Sequence, residues 1–569
     1  MSSLLQIRRV AFYTALLLLF CLVVFWSRWA GTGSTSSAHA AVSGNVPVYT
    51  FKYNNQHTGA NSHEVVLNTH TVNSNQFGPL MSYPVDGQVY AQPLYVPGVN
   101  LGGQAVNLVI VATENNSVYA FDADAVNGNP SPVWANNYED NNDRTVTADD
   151  VSCADTAPNI GITSTPVIDP ATQTLFLTSY LVSNGNPTYF LHALDLSTGQ
   201  DKPGSPVVVS VPGSNFDAQK ERQRTALLLA NGRVYLGFAS FCDNKPYSGW
   251  IISYGYNGRS FQRLAAYDDT VGGVEGGIWG SGGALAADSR GYIYATTGNG
   301  TFNLNRGGRD AGDSYLKMTA NLRVVSYFTP FDQQCLSTTD GDLGSGGAML
   351  TPNGELISGN KNGRVFVVST GYLGGYNPAV SAVCNHQAAT TFDHIVQELP
   401  QHTMGSGVFS TPAYWYGPGG PYVYISGSQS PTKLFRLAGT RLAGPLSQTP
   451  ESFDFTGGDP VISSDGGGAG TGILWLIDST GNLRAYDATN LNNELYSSPI
   501  DGAVKFSIPI VSNGKVFVPT VDSLEIFGLL PNNSAVIPNS MGVGNIPLPG
   551  ILAGKLLSDN RAWRQVHAV

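Results

Sequence analysis

Short apolar runs return along this chain at intervals of roughly 45 to 70 residues, each reached through a Gly, Thr or Pro. Eight stand out: Gln92-Pro93-Leu94-Tyr95-Val96, Ser164-Thr165-Pro166-Val167-Ile168, Thr225-Ala226-Leu227-Leu228-Leu229, Gly282-Gly283-Ala284-Leu285-Ala286, Gly346-Gly347-Ala348-Met349-Leu350, Ser410-Thr411-Pro412-Ala413-Tyr414, Asp459-Pro460-Val461-Ile462 and Ile508-Pro509-Ile510-Val511. Most are followed by a turn, a second strand and a third. Strand-like alternation puts successive side chains on opposite faces. Outside the N-terminus no long stretch has helical periodicity. The pattern predicts an all-β protein, an eight-bladed β-propeller of four-stranded antiparallel blades.

The ends of the pattern suggest how the ring closes. The last unit has strands near Ile508–Val511, Lys515–Pro519 and Leu524–Phe527 but no fourth. Leu80-Met81-Ser82-Tyr83-Pro84-Val85 is a lone strand ahead of the first full unit. Pairing the two closes the ring and leaves no exposed edge. Third strands carry an apolar–aromatic–x–Asp signature, as in Val118-Tyr119-Ala120-Phe121-Asp122, Leu191-His192-Ala193-Leu194-Asp195 and Leu483-Arg484-Ala485-Tyr486-Asp487. The terminal Asp reads as a turn cap. The expected organisation is an N-terminal targeting segment over 1–40, a polar lead-in over 41–77, the propeller over 78–530 and an irregular tail over 531–569.

Composition narrows the function classes. Among 569 residues, Gly 66 and only 12% charged residues describe a turn-rich strand protein, and a net charge of -11 argues against a nucleic-acid partner. Arg8 and Arg9 precede an apolar run from Val10 to Trp26, and Ala38-His39-Ala40 has the small-x-small pattern of a signal-peptidase site. The run reads as a cleaved signal or as an uncleaved anchor. Either way the folded body is expected outside the cytoplasm, secreted or at the cell surface, with membrane contact only through that segment. Cys153, Cys242, Cys335 and Cys384 remain, enough for two disulfides in an oxidising compartment. Cys153–Cys242 and Cys335–Cys384 are the preferred pairs, each on neighbouring loops of one rim. No CxxC or CxxCH supports a zinc or c-type haem site, and no Gly-x-Ser-x-Gly or His-Glu-x-x-His supports a hydrolase.

Five motifs in the middle units carry candidate chemistry. They are Gly277-Ile278-Trp279-Gly280, Thr296-Thr297-Gly298-Asn299-Gly300, Gly312-Asp313-Ser314-Tyr315, Thr329-Pro330-Phe331-Asp332 and Lys361-Asn362-Gly363. Their order, and the Ala-x-Asp strand with its Gly turn, resemble the pyrroloquinoline-quinone (PQQ) propellers of the quinoprotein alcohol dehydrogenase superfamily. The resemblance implies that Trp279 is the floor under a quinone, Asn299 a calcium ligand, Asp332 the catalytic base and Lys361 the cation on a quinone oxygen. The family's calcium-binding Glu falls near Phe241-Cys242-Asp243-Asn244, where Asp243 is the nearest carboxylate, one residue out of register. The adjacent-cysteine ring over the quinone is absent, and Phe331 stands for the family's His. Lanthanide-using relatives carry a second Asp two residues after the base; counted from Asp332, that position is Gln334, which points to calcium.

The implied activity is oxidation of an alcohol or sugar by hydride transfer to a calcium-polarised quinone, with electrons passed to a separate acceptor. Each residue also has a structural reading. Asn299 and Lys361 lie in Asn-Gly turns, Asp332 follows a Pro as a turn cap, Trp279 packs between blades, and Asp243 belongs to a surface loop. On those readings the propeller is a non-catalytic extracellular scaffold, or a binder of polymers or partner proteins.

Overall fold

The computed structural model describes residues 45–125, 130–379, 384 and 392–531. The predicted targeting segment lies outside the described residues, as does the tail apart from Pro531. Eight sheets follow in chain order. Blade 1 is Leu94–Leu101, Gln104–Ala112, Ser117–Asp122 and Trp134–Asn137. Blade 2 is Val167–Asp169, Thr174–Ser183, Asn186–Asp195 and Val207–Val208, with a short pair, Arg144–Thr147 and Asn159–Ile160, added beside it. Blade 3 has Leu228–Ala230 and Glu221–Gln223 on its inner side, then Arg233–Ser240, Trp250–Tyr256 and Phe261–Asp268. Blades 4 to 7 start at Leu285–Ala287, Met349–Leu350, Ala413–Gly417 and Val461–Ser463. Blade 8 takes Ile510–Ser512, Lys515–Pro519 and Ser523–Leu529 from the C-terminal side and Phe77–Pro84 from the N-terminal side.

That last pairing, antiparallel from Phe77↔Leu529 to Pro84↔Ser523, is the closure the sequence called for. The core is a series of layers between neighbouring blades rather than one centre. Leu228, Tyr235 and Ile251 of blade 3 pack against Leu285, Ala295 and Leu316 of blade 4, all buried. The third-strand aspartates cap turns: Asp122, Asp195 and Asp487 each accept a backbone N–H two residues on, at 2.8–2.9 Å. Both disulfides, Cys153–Cys242 and Cys335–Cys384, are formed.

The lead-in does more than its polar, irregular sequence announces. Between Val48 and Gly59 it touches the inner strand of every blade. Val48 pairs with Tyr95 of blade 1. The Tyr49 carbonyl accepts from Ile168 of blade 2, and the Asn55 side chain donates to the Leu229 carbonyl of blade 3. The carbonyls of Asn55, Gln56, Thr58 and Gly59 accept from Ala287, Leu350, Tyr414 and Ile462 of blades 4 to 7. The Tyr53 hydroxyl accepts from Val511 of blade 8 at 2.7 Å. Lys52, fully buried, pairs with Asp459 and donates to the carbonyls of Thr411 and Pro460. This segment ties the inner strands together across the axis.

Because strands alternate in direction, two sets of loops emerge on one face: those joining the second and third strands, and those running from one blade into the next. Every candidate residue lies on such a loop.

Candidate functional site

Two successive blades build the first cluster. Asn299 sits in the second-to-third strand loop of blade 4, Lys361 in that of blade 5, and Asp340 and Asp342 in the loop running from blade 4 into blade 5. The Asn299 backbone N–H donates to Asp342 Oδ1 at 2.6 Å, and the Asp342 N–H donates back to Asn299 Oδ1 at 3.0 Å. Asn299 Nδ2 donates to Asp340 Oδ1 at 2.9 Å. Lys361 Nζ bridges Asp340 Oδ1 at 2.6 Å and Asp342 Oδ2 at 2.8 Å. Gly298 permits this approach, since a Cβ there would lie 2.6 Å from Asp342 Oδ1.

Asp243, in the corresponding loop of blade 3, adjoins the cluster. Its Oδ1 accepts from the Ser240 and Tyr247 hydroxyls at 2.9 and 2.8 Å. Burial raises the Tyr247 hydroxyl far above its usual range, and the charges of Asp243 and Asp342 push it further. Burial also raises the Asp340 carboxyl; Lys361 pulls it back, while Asp342 and Asp243 raise it. Against the cost of burial, Asp342 and Asp340 hold Lys361 charged. Beneath them lies Asp313, wholly buried, accepting from the Leu343 N–H. Burial and the charge of Asp342 push it well above the usual carboxylate range.

Trp279 lies next to this cluster because its loop is bonded to the Asn299 turn: Gly276 donates to the Asn299 carbonyl at 2.6 Å, and Gly298 to that of Gly277 at 2.9 Å. Its indole is half-buried among phenyl rings. Phe409 and Phe506 lie at centroid distances of 6.4 Å, and Phe455 at 4.8 Å from Phe409 and 5.9 Å from Phe506. These rings come from the loops entering blades 6, 7 and 8 and form an aromatic wall beside the indole.

The structure brings Asp243, Asn299, Lys361 and Trp279 to one end of the axis and sets Asp332 apart. Asp332 is buried, with Oδ2 on Arg364 at 2.8 Å, and Arg364 is bound in turn to Glu398 at 2.7 Å. Arg364 follows Lys361 by three residues but turns inward, over the Phe366 ring at 4.9 Å. The carboxylates that meet Lys361 are instead Asp340 and Asp342. Their Asp-x-Asp spacing in Asp340-Gly341-Asp342 was the available signal. Counted from Asp340, the position two residues on is Asp342 rather than the Gln334 that pointed to calcium.

The donors fit a hard cation in chemistry: all are oxygens, and three carboxylates stand against one ammonium. The Lys361 ammonium bridges two of them. Among the described residues the only grouping of three or more His, Cys, Asp or Glu whose ligand atoms all lie within 4.8 Å is Cys153, Asp155 and Cys242, whose sulfurs are spent in a disulfide. The aromatic wall fits a flat conjugated ring.

The fold is that of the PQQ-type β-propellers. Among solved structures it is similar to a quinohemoprotein alcohol dehydrogenase of Pseudomonas putida, with TM-score 0.61 and 13% identity over 89% of this chain and 83% of that one. It is also similar to a europium-containing methanol dehydrogenase, with TM-score 0.56 and 14% identity over 85% of this chain and 98% of that one. No protein-family model and no curated protein matches the chain.

Proposed function

We propose that this face oxidises an alcohol or sugar hydroxyl with a bound quinone. The observation that carries the reading is the meeting of Asp243, Asn299, Asp340, Asp342 and Lys361 beside Trp279. Trp279, with Phe409 and Phe506, would hold the planar quinone, and oxygens of Asp243, Asn299 and Asp342 a hard cation. Bound there, PQQ and its cation supply an electrophilic carbonyl that accepts hydride.

The chain's own residues then divide the work. Asp342 has one oxygen on the Asn299 N–H and the other on Lys361, so its carboxylate is fixed in position. Asp340 is the more exposed of the pair and has the raised proton affinity, which suits it to take the substrate's hydroxyl proton. Lys361 orients Asp340 and presents positive charge where a reduced oxygen develops. The residue roles therefore move from Asp332 to Asp340, and the Asp340–Asp342 pair makes a trivalent lanthanide a candidate beside calcium. Export fits the two disulfides, and electrons leave to a separate acceptor.

The test is to incubate purified protein with PQQ and either Ca²⁺ or La³⁺, follow the bound-quinone spectrum, and assay dye-linked oxidation of simple alcohols and sugars. Bound quinone with cation-dependent turnover supports the reading; no binding at micromolar quinone overturns it. A second reading, a non-catalytic binding propeller, draws on the Lys361 ammonium already bridging Asp340 and Asp342. It gains if both cations leave the protein unchanged.

A further inference from the structure

The segments entering blades 3 and 8 carry the reverse charge of the acidic cluster. Arg222 and Arg224 stand two residues apart on the extended approach to blade 3, and so project to one side. Lys505 precedes Phe506 in the loop entering blade 8. Asp155, in the loop entering blade 2, lies 3.5 Å from Arg222 Nη1 and 3.9 Å from Lys505 Nζ. One half-exposed carboxylate thus serves two cations.

Arg224 is more deeply placed, at 5% exposure. Its guanidinium donates to the Thr163 carbonyl at 3.0 Å and lies 5.6 Å over the Phe506 ring. Asp459, the carboxylate whose charge reaches it among the described residues, is already paired with Lys52. Arg222 is 9% exposed, and its Nε is buried with no hydrogen-bond partner among the described residues. A guanidinium offers five donors, and leaving buried ones unmet is costly. Burial, and then the neighbouring Arg222, lower Arg224 to about 9. Burial also lowers Lys505, with Arg222 and Arg224 adding to the effect against Asp155. An anion among the three offsets their mutual repulsion.

We infer that Arg222, Arg224 and Lys505 form an anion site, which takes the carboxylate of a ligand seated against Phe506 and Trp279. The shared chemistry is the carboxylate, borne either by a planar ring or by a polyhydroxy acid acting as substrate. The cation cluster rests on the geometry of these loops, and its ring-borne form rests on the proposed quinone reading of Trp279 and Phe506.

Calorimetric titration of the chelator-treated, full exported chain tests it, with benzene-1,3,5-tricarboxylate, gluconate and neutral glucose as probes. At least one carboxylate binds and glucose does not. Added salt weakens the binding, and Arg224→Gln and Lys505→Gln each weaken it about tenfold or more. Binding of the tricarboxylate alone assigns the site to ring-borne groups; binding of gluconate assigns it to a sugar-acid substrate. Lys505 is partly exposed, so its substitution spares the fold. Silence from both carboxylates, or equal affinity in Lys505→Gln, overturns the inference. Carboxylate binding without quinone binding overturns only the redox proposal.

Discussion

Asp332 and Asp340 lie on one connecting loop, yet their surroundings assign them opposite work. Asp332 is sealed against Arg364, and an ion pair so buried costs several kcal/mol when one partner is removed. Asp332→Asn should therefore lower the unfolding free energy by about 3 kcal/mol, read from urea midpoints, and leave the shape of the pH–rate profile alone. Asp340 faces solvent beside Lys361. Asp340→Asn should cost about 10²- to 10⁴-fold in kcat with little change in urea midpoint. A base must be ionised, and the Asp340 carboxyl is raised from its ordinary 3.8. Activity in the native chain should accordingly rise with pH along a limb lying above that value, and Asp340→Asn should abolish the limb. If Asp332→Asn removes the limb instead, the roles are reversed.

At the scale of elements, the axial segment Val48–Gly59 sets the acid sensitivity of the fold. His57 is 2% exposed, with Nδ1 on the Ala348 carbonyl at 3.1 Å. Burial lowers it from 6.5 to about 3, with Lys52 adding to the effect against that hydrogen bond. Its folded value lies below its unfolded one, so its contribution is complete above pH 6.5 and is lost as pH falls toward 3. That amounts to several kcal/mol, on the order of 1.4 kcal/mol per unit. Glu114 and Glu221, raised by burial to about 7 and about 8, act in the other sense: their contribution is complete below about 4.5 and declines as pH rises through those values. His57→Asn isolates the histidine, and Asn accepts the left-handed backbone found there (φ 59). Denaturant midpoints of the variant should be flatter than the native chain's between pH 6.5 and 3, and parallel to them above pH 7. Equal slopes in the acid range would refute a neutral buried His57. None of this segment's role was legible in the sequence. It forms one or two hydrogen bonds to each of eight different strands and has neither apolar periodicity nor a strand of its own apart from the adjoining Ala60–Asn61. The blades were legible because each repeats the same alternation, and closure followed from one missing strand.

For the whole molecule, the ring and the face it presents are held by different forces, and the disulfides separate them. Cys242 immediately precedes Asp243, and its partner Cys153 lies in the loop that carries Asp155. Cys335 lies between Asp332 and Asp340, and Cys384 follows the third strand of blade 5. Both links join inter-blade or strand-connecting segments; Cys153–Cys242 borders the layer between blades 2 and 3, while the blade 3–4 layer and the Phe77–Pro84 closure involve neither. The same separation explains what the sequence disclosed of the site. Motifs fixed to strand ends, such as Thr296-Thr297-Gly298-Asn299 and Asn360-Lys361-Asn362, could be placed by blade number alone. Asp340, Asp342, Arg224 and Lys505 lie in inter-blade loops, and Arg222 in the short strand Glu221–Gln223 within one such connection, whose path depends on packing that no local pattern encodes. Reducing both disulfides under native conditions should therefore leave the far-ultraviolet strand signal intact while weakening carboxylate and quinone binding, because the loops regain conformational entropy that binding must remove again. Reoxidation should restore both. Loss of strand signal together with binding would mean that ring and rim unfold as one unit, and that the loops stabilise the propeller rather than rest on it.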